Sequence, residues 1–433
     1  MSNEDEERRH FQQVCNSYQQ YATFHQAIEQ GVNHRRERLL SSMNENAVQK
    51  SEPTVESILQ KSLPQLQRKK NNELFCQATI RNQYFLDNVL KHAGAMTSQE
   101  ISRYRNECTA FEVEWTTEDQ ISKIDSVLKS IYRDWSIEGK EERSVVYAKL
   151  LSALDKYLPI KSDDDRGPAP RVAVPGSGLG RLAFEIYSKG YSSQGSDFSL
   201  PMLLASDFIL NGCTNRQFAI SPWIHETKNV KSLQDRLRTV NVPDAVAAVK
   251  PIKDGEAAPD FTMLAGEFVS LYSHFLPGSR CVGNQQADSV EKFNAVVCSF
   301  FIDTAPNLPH YLITIYHMLK NGGLFISIGP LMWHFSGFGT VIPGDLDGAL
   351  KTSDVEEDFV NAKHKHRTKH LDRRYLQSVD FTWEETRAMI VNCGFEIVEE
   401  EFDIKTRYTC DEMSMKKVDY DCVFFVARKL PRR

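Results

Sequence analysis

Three glycines and a carboxylate carry the first chemical signal in this chain. Gly176, Gly178 and Gly180 follow the short apolar run Val172 to Val174, and Asp197 closes the next predicted strand. Glycine lets the backbone take positive φ and lets a ligand approach with no Cβ in the way. The N–H groups that open the following helix favour negative charge. An acid spaced like Asp197 lies where the hydroxyls of a ribose would sit in a nucleoside-binding βαβ unit. The same turn also suits an ordinary tight βα connection, and the downstream acid is what weighs toward a ligand.

Further groups stand at predicted strand ends, where ligands bind in a doubly wound sheet. Asp303 follows Phe300-Phe301-Ile302, with a helix cap as its plainer alternative. His334 lies between Trp333 and Phe335, where packing is the alternative, and Tyr420 precedes the last strand as a rim aromatic. Gly266-Glu267-Phe268 and Ser299 end two other strands. The glycine spacing G-S-G-L-G brings the third glycine one residue earlier than in the dinucleotide pattern G-x-G-x-x-G. That shorter form is the commoner one in S-adenosylmethionine sites.

The elements that must position these residues alternate. Strands are expected at Val172 to Val174, ending at Asp197, at Phe261 to Ala265, at Asn294 to Ile302 and at Leu324 to Ile328. Helices are expected from Arg181, from Leu200 to Leu210 and from His310 to Leu319. Such alternation predicts a parallel sheet covered on both faces. Phe395 to Ile404 and Cys422 to Ala427 read as a final antiparallel pair at one edge. Five βα units followed by that pair, with Leu319-Lys320-Asn321-Gly322-Gly323 before the fifth strand, look like a seven-stranded, Rossmann-like class I methyltransferase sheet.

Residues 1–165 read as a helical region, and 166–433 as the catalytic domain after the linker Lys161 to Pro170. The last helical part, 121–158, is expected to cover the site. It carries Arg133, Asp134 and Trp135, either a solvated charge face around an apolar anchor or a cation reaching the ligand. Trp223-Ile224-His225 reads as a buried turn or a cover. A charged insertion runs from about 344 to 375, and its His364 to His370 cluster reads as a solvated segment rather than a metal site.

Composition narrows the classes. A net charge of -6 over 433 residues offers no footprint for nucleic acid. The longest apolar run, Ala295 to Ile302, is too short to span a membrane, and the amino terminus lacks the apolar region of a secretory signal. The 9 cysteines are scattered and never in C-x-x-C spacing, so the expected compartment is reducing, cytoplasmic or nuclear, with no structural zinc.

With these stretches in hand the chain resembles the carnosine N-methyltransferase family. The resemblance rests on Arg133 to Ser136, Val174 to Ala183, Pro222 to His225, Phe300 to Ala305, Gly329 to Leu331 with His334-Phe335, and Met413 to Met415 with Tyr420 and Cys422. It implies an S-adenosylmethionine-dependent enzyme that methylates the imidazole of β-alanyl-histidine to give anserine. It further implies that Arg133, Gly176, Gly178, Asp197, Glu267, Phe268 and Ser299 hold the cofactor and that Asp303, His334 and Tyr420 line the dipeptide pocket, with Asp303 and His334 catalytic. A homodimer using the amino-terminal helices is implied too. The family's glutamate, aspartate and cysteine at three cofactor positions are Asp197, Glu267 and Ser299 here, and its glutamine at another is Ser130. The alternatives are a methyltransferase for another imidazole, such as a protein histidine, a silent binding protein on the same fold, and a nicotinamide oxidoreductase.

Overall fold

Strand-forming runs buried on both faces build the centre of the molecule. The computed structural model describes residues 3–44, 65–95, 116–160, 168–213, 217–247, 258–276, 292–335, 379–408 and 411–431. Within these, the main strands are β1 (Arg171–Pro175), β2 (Ser192–Asp197), β5 (Phe261–Ala265), β6 (Phe293–Ser299), β7 (Leu319–Gly329), β8 (Phe395–Arg407) and β9 (Asp419–Lys429). They form one seven-stranded sheet in the order β5-β2-β1-β6-β7-β9-β8. The first five are parallel, and β9 runs antiparallel to both β7 and β8. A separate antiparallel pair, β3 (Phe218–Ile220) and β4 (Val240–Val242), has no counterpart in the sequence reading.

Alternation along the strands explains the two layers. Val172, Val174, Ile326, Ile328, Phe424 and Val426 face one side, whereas Ala173, Phe325, Phe425 and Ala427 face the other. The first face packs on Val146, Leu150 and Leu154 of the helix Lys140–Tyr157 and on Leu182 and Ile186 of the helix Arg181–Ser188. The second meets the helices Phe268–Tyr272, Leu308–Met318 and Trp383–Asn392. Covering both faces is what makes these strands read as continuous apolar runs.

Several boundaries shift. The strand expected to reach Ile302 stops at Ser299, because Phe300 takes φ 52° and turns the chain out of the sheet. The helix expected over Leu200 to Leu210 is Leu200–Asp207, prolonged by a single π turn, Phe208–Gly212. β7 begins at Leu319, so Lys320 to Gly323 form an irregularity inside the strand, where the pairing jumps from Phe293↔Leu319 to Ala295↔Leu324. The linker, the insertion at 344–375 and the histidine cluster lie mostly or wholly outside the described residues.

The amino-terminal helices Asn3–Asn44 and Gln65–His92 and the helix Glu118–Trp135 share one apolar core with Leu179, Ala205, Phe208, Ile220 and Trp223. A buried polar knot fixes this junction. Asp125 accepts from Tyr21 Oη at 3.0 Å and meets His25 Nε2 at 3.1 Å and His225 Nδ1 at 3.2 Å. Asn82 donates to Tyr21, and His225 Nε2 meets Glu226, which also pairs with Lys129. Thus Trp223-Ile224-His225 is a buried turn tied to the helical region, and it is not part of the cavity wall described below.

Burial opposes charge on His225, yet Asp125 and Glu226 outweigh it and raise its pKa above the ordinary 6.5. His225 hydrogen-bonds Glu226 and lowers that acid to about 2. A raised histidine contributes stability fully below about pH 6.5 and loses it as pH climbs through the folded value; the depressed Glu226 loses its share only in acid. Replacing His225→Gln is therefore expected to cost more stability at about pH 6 than at about pH 9. Urea unfolding at both values checks this, and equal losses would mean that His225 stays neutral.

Candidate functional site

The glycine turn, the ends of β1, β2, β5 and β6, and the segment after β7 enclose a cavity of about 320 Å³. Its floor is set by backbone conformation. Gly176, Gly178 and Gly180 all take positive φ, 65°, 54° and 76°. A Cβ at Gly176 would lie 2.5 Å from the Phe301 ring, whereas one at Gly178 would meet no atom within 4 Å. Gly178 thus presents bare backbone to open cavity, which is what close approach of a ligand requires. Gly178→Ala should cost about 1–2 kcal/mol in left-handed strain while weakening cofactor binding about tenfold or more. Calorimetric titration beside a thermal melt separates the two effects.

Asp197 closes β2 directly beside this turn. Its Oδ2 accepts from Gly178 N–H at 2.9 Å and its Oδ1 from Ser199 N–H at 2.8 Å. Burial raises its pKa against the backbone donors Ser199, Gly178 and Phe198. Each oxygen keeps a further lone pair for a hydroxyl. Glu267 behaves differently: it lines the cavity, but its oxygens accept from Val269 and Ser270 N–H at 3.1 and 2.8 Å, capping the helix Phe268–Tyr272. Phe268 packs against Phe301 and Tyr311, with centroids 5.2 and 4.8 Å away, and Ser299 lines the cavity at the end of β6.

The roof is the last turn of the helix Glu118–Trp135. Trp135 Nε1 donates to the Leu179 carbonyl at 3.1 Å, which pins the helix to the glycine turn. Arg133 then reaches the cavity wall. Its Nε and Nη2 donate to both oxygens of Asp134 at 2.7 and 2.8 Å, while Nη1 is buried without a hydrogen-bond partner among the described residues. Tyr147 steadies Asp134 from the next helix, at 3.3 Å. Arg133 is thus a largely buried group at the cavity wall rather than part of a solvated charge face.

Asp303 is buried in the short turn Ile302–Thr304 and caps no long helix, since Asn307 caps Leu308–Met318. Its Oδ2 accepts from Met332 N–H at 3.0 Å, its carbonyl from His334 N–H at 3.0 Å, and its Oδ1 is buried without a partner among the described residues. Burial raises its pKa, opposed by the Met332 N–H and by His334. Phe301, Thr304 and His334 line the cavity, whereas Asp303 itself is buried and is not part of the cavity wall. Trp333, at φ 45°, is the buried member of its trio and donates to the Phe381 carbonyl; His334 is exposed to the cavity instead.

Tyr420 is not part of the cavity wall. It meets the edge of the Phe300 ring at 6.2 Å, and the tyrosine that lines the cavity is Tyr408, one residue beyond β8, stacked on Phe300 at 4.8 Å. Sequence reading missed Tyr408, Phe300 and Tyr147. Only its place next to the end of a hairpin strand marks Tyr408, a weak local signal.

These features fit S-adenosylmethionine. An unpartnered buried guanidinium nitrogen suits its carboxylate, a Cβ-free cradle suits close approach, and Asp197 suits a ribose. No group of three or more histidine, cysteine or acidic side chains among the described residues is arranged to hold a metal ion. Nor is any described helix long and apolar enough to cross a membrane.

Comparison with known proteins converges on one family. The family described as "Carnosine N-methyltransferase" matches residues 111–431. A carnosine N-methyltransferase of Mus musculus is 30% identical over 430 residues, covering 98% of this chain and 88% of its own length. One from Schizosaccharomyces pombe is 34% identical, covering 72% and 71%. One from Dictyostelium discoideum is 31% identical, covering 71% and 54%. Together with the cavity built on Arg133, the glycine turn and Asp197, these matches lead to one conclusion: the chain belongs to the carnosine N-methyltransferase family.

Proposed function

We propose that this chain transfers a methyl group from S-adenosylmethionine to an imidazole nitrogen of carnosine, giving anserine. The observation that carries the reading is the unsatisfied donor Nη1 of Arg133 at the cavity wall; the unsatisfied acceptor Oδ1 of Asp303, buried between the wall residues Phe301 and Thr304 in sequence, supports it. Buried polar atoms are seldom left unpaired, so such an atom at a cavity wall marks a place that a ligand completes.

Bound at this site, S-adenosylmethionine supplies an electrophilic methyl group. Arg133 holds its carboxylate, the Gly176 to Gly180 backbone admits its chain, and Asp197 accepts from its ribose hydroxyls. Phe268 walls the cavity beside Glu267 and Ser299. An imidazole near its ordinary pKa of about 6.5 is largely neutral and nucleophilic at neutral pH. Asp303 Oδ1 accepts from the ring N–H, which selects the tautomer and leaves the other nitrogen to react. As positive charge develops on the ring, the carboxylate offsets it. The raised pKa of Asp303 then lets it take the proton released from that N–H. His334 orients the dipeptide at the mouth, and Tyr420 supports the wall through Phe300.

The amino-terminal helices expose Ile28, Leu74, Ile80 and Tyr84, which supports a homodimer formed through them; light scattering on the purified chain tests it. Cys15, Cys76, Cys213, Cys298, Cys393 and Cys422 are free thiols, which supports a reducing compartment, cytoplasm or nucleus. The activity itself is tested by mass spectrometry with S-adenosylmethionine and carnosine, homocarnosine, histidine and a histidine peptide. Methylated carnosine should dominate. Methylation of the peptide alone would transfer the reading to protein histidines.

A further inference from the structure

The Arg133 guanidinium is held on more than its edge. Asp134 takes Nε and Nη2, a bidentate pair that fixes one edge and leaves the planar faces open. The Tyr408 ring covers one of those faces, its centroid 4.6 Å from the guanidinium carbon. Tyr408 is backed in turn by Phe300, with centroids 4.8 Å apart and planes at 29°. Phe300 is fixed by its φ of 52° and by donating its N–H to the Ile328 carbonyl at 2.9 Å. The stack therefore joins the end of β6, the residue after β8 and the last turn of the roof helix. These three pieces lie far apart in sequence.

The segment beyond Tyr408 is anchored independently. Asp411 accepts from Arg238 Nη2 at 2.6 Å, and Met415 N–H donates to the Asn229 carbonyl at 2.8 Å. Tyr408 itself is 41% exposed, so its ring is placed by these neighbours rather than by core packing.

We propose that Tyr408 is a positioning residue for cofactor binding, its ring fixing the face of the Arg133 guanidinium so that Nη1 points into the cavity. This rests on the reading that Arg133 holds the cofactor's carboxylate. A cation held over an aromatic face in a partly desolvated site is strengthened by the ring and confined in orientation. The ring face makes that contact, so phenylalanine is expected to substitute for tyrosine.

The test compares Tyr408→Leu, Tyr408→Phe, Arg133→Met and the double variant Arg133→Met with Tyr408→Leu, titrating S-adenosylhomocysteine by calorimetry and measuring both KM values. Tyr408→Leu should weaken S-adenosylhomocysteine about tenfold, with kcat at saturating cofactor and the KM for carnosine changed by less than about threefold. Tyr408→Phe should restore binding to within about twofold of the wild type. In the Arg133→Met background, Tyr408→Leu should cost nothing further, because a residue that acts through another loses its effect when that other is gone. Additive losses, a phenylalanine variant as weak as leucine, or a raised KM for carnosine with unchanged cofactor affinity would each overturn the proposal. Should Arg133→Met alone bind S-adenosylhomocysteine like the wild type, the assignment of Arg133 falls and this proposal with it. A weak Arg133→Met beside an unaffected Tyr408→Leu overturns the role of Tyr408 only.

Discussion

Replacing Asp303 with Asn should lower kcat by about 10²–10³-fold and leave the affinity for S-adenosylhomocysteine within about twofold of the wild type. Asparagine keeps the size and can still accept from Met332 N–H, but it cannot offset ring charge or take the released proton. The carboxylate is buried and its pKa is raised by that burial, so its ionised form is the costly and reactive one. Activity carried by that form is lost as pH falls through the raised pKa, at a higher pH than for an exposed aspartate. The acidic limb of the kcat profile should thus disappear in Asp303→Asn. Collapse of cofactor affinity instead would make this acid a strut for the turn at Met332 to His334.

Asp244→Ala is expected to destabilise the fold by about 3–5 kcal/mol, the usual cost of stranding a buried charge. Asp244 accepts from Arg143 Nη2 at 2.5 Å and from Arg181 Nη1 at 2.6 Å, all three side chains being largely buried. Its N–H also donates to the Trp135 carbonyl at 2.8 Å. Arg143 spends its other nitrogen, Nη1, on the carbonyls of Arg133 and Ser136 at 2.9 and 2.7 Å. Removing the acid therefore leaves buried Arg143 without a carboxylate partner, while Arg181 keeps Glu185 at 2.8 Å, and slackens the turn that presents Arg133. Urea denaturation should show the loss, and cofactor affinity should fall alongside it. A change below about 1 kcal/mol, the scale of an exposed ion pair, would mean that water reaches the arginines.

Two features that sequence reasoning left open, Arg133 and Trp223 to His225, are decided by partners far along the chain. Arg133 comes to line the cavity because Trp135 bonds the Leu179 carbonyl, 44 residues on. His225 becomes part of a structural knot because Asp125, which also holds His25 of another helix, pairs with it. Neither contact leaves a mark in local spacing. Tyr420 is the converse case, since a motif match placed it in the pocket, yet the cavity wall at the β8–β9 hairpin carries Tyr408.

What the sequence alone determined is what local geometry encodes: the period of the strands, the glycine turn with positive φ at Gly176, Gly178 and Gly180, and Asp197 and Ser299 at strand ends. Strand periodicity and glycine conformation act over a few residues, so they can be read one stretch at a time. Tertiary structure decided the rest: Asp303 beneath the surface, Glu267 turned to its own helix, and the stack of Arg133, Tyr408 and Phe300. Those outcomes depend on burial and on which surfaces meet, and both exist only once strands distant in the chain have paired.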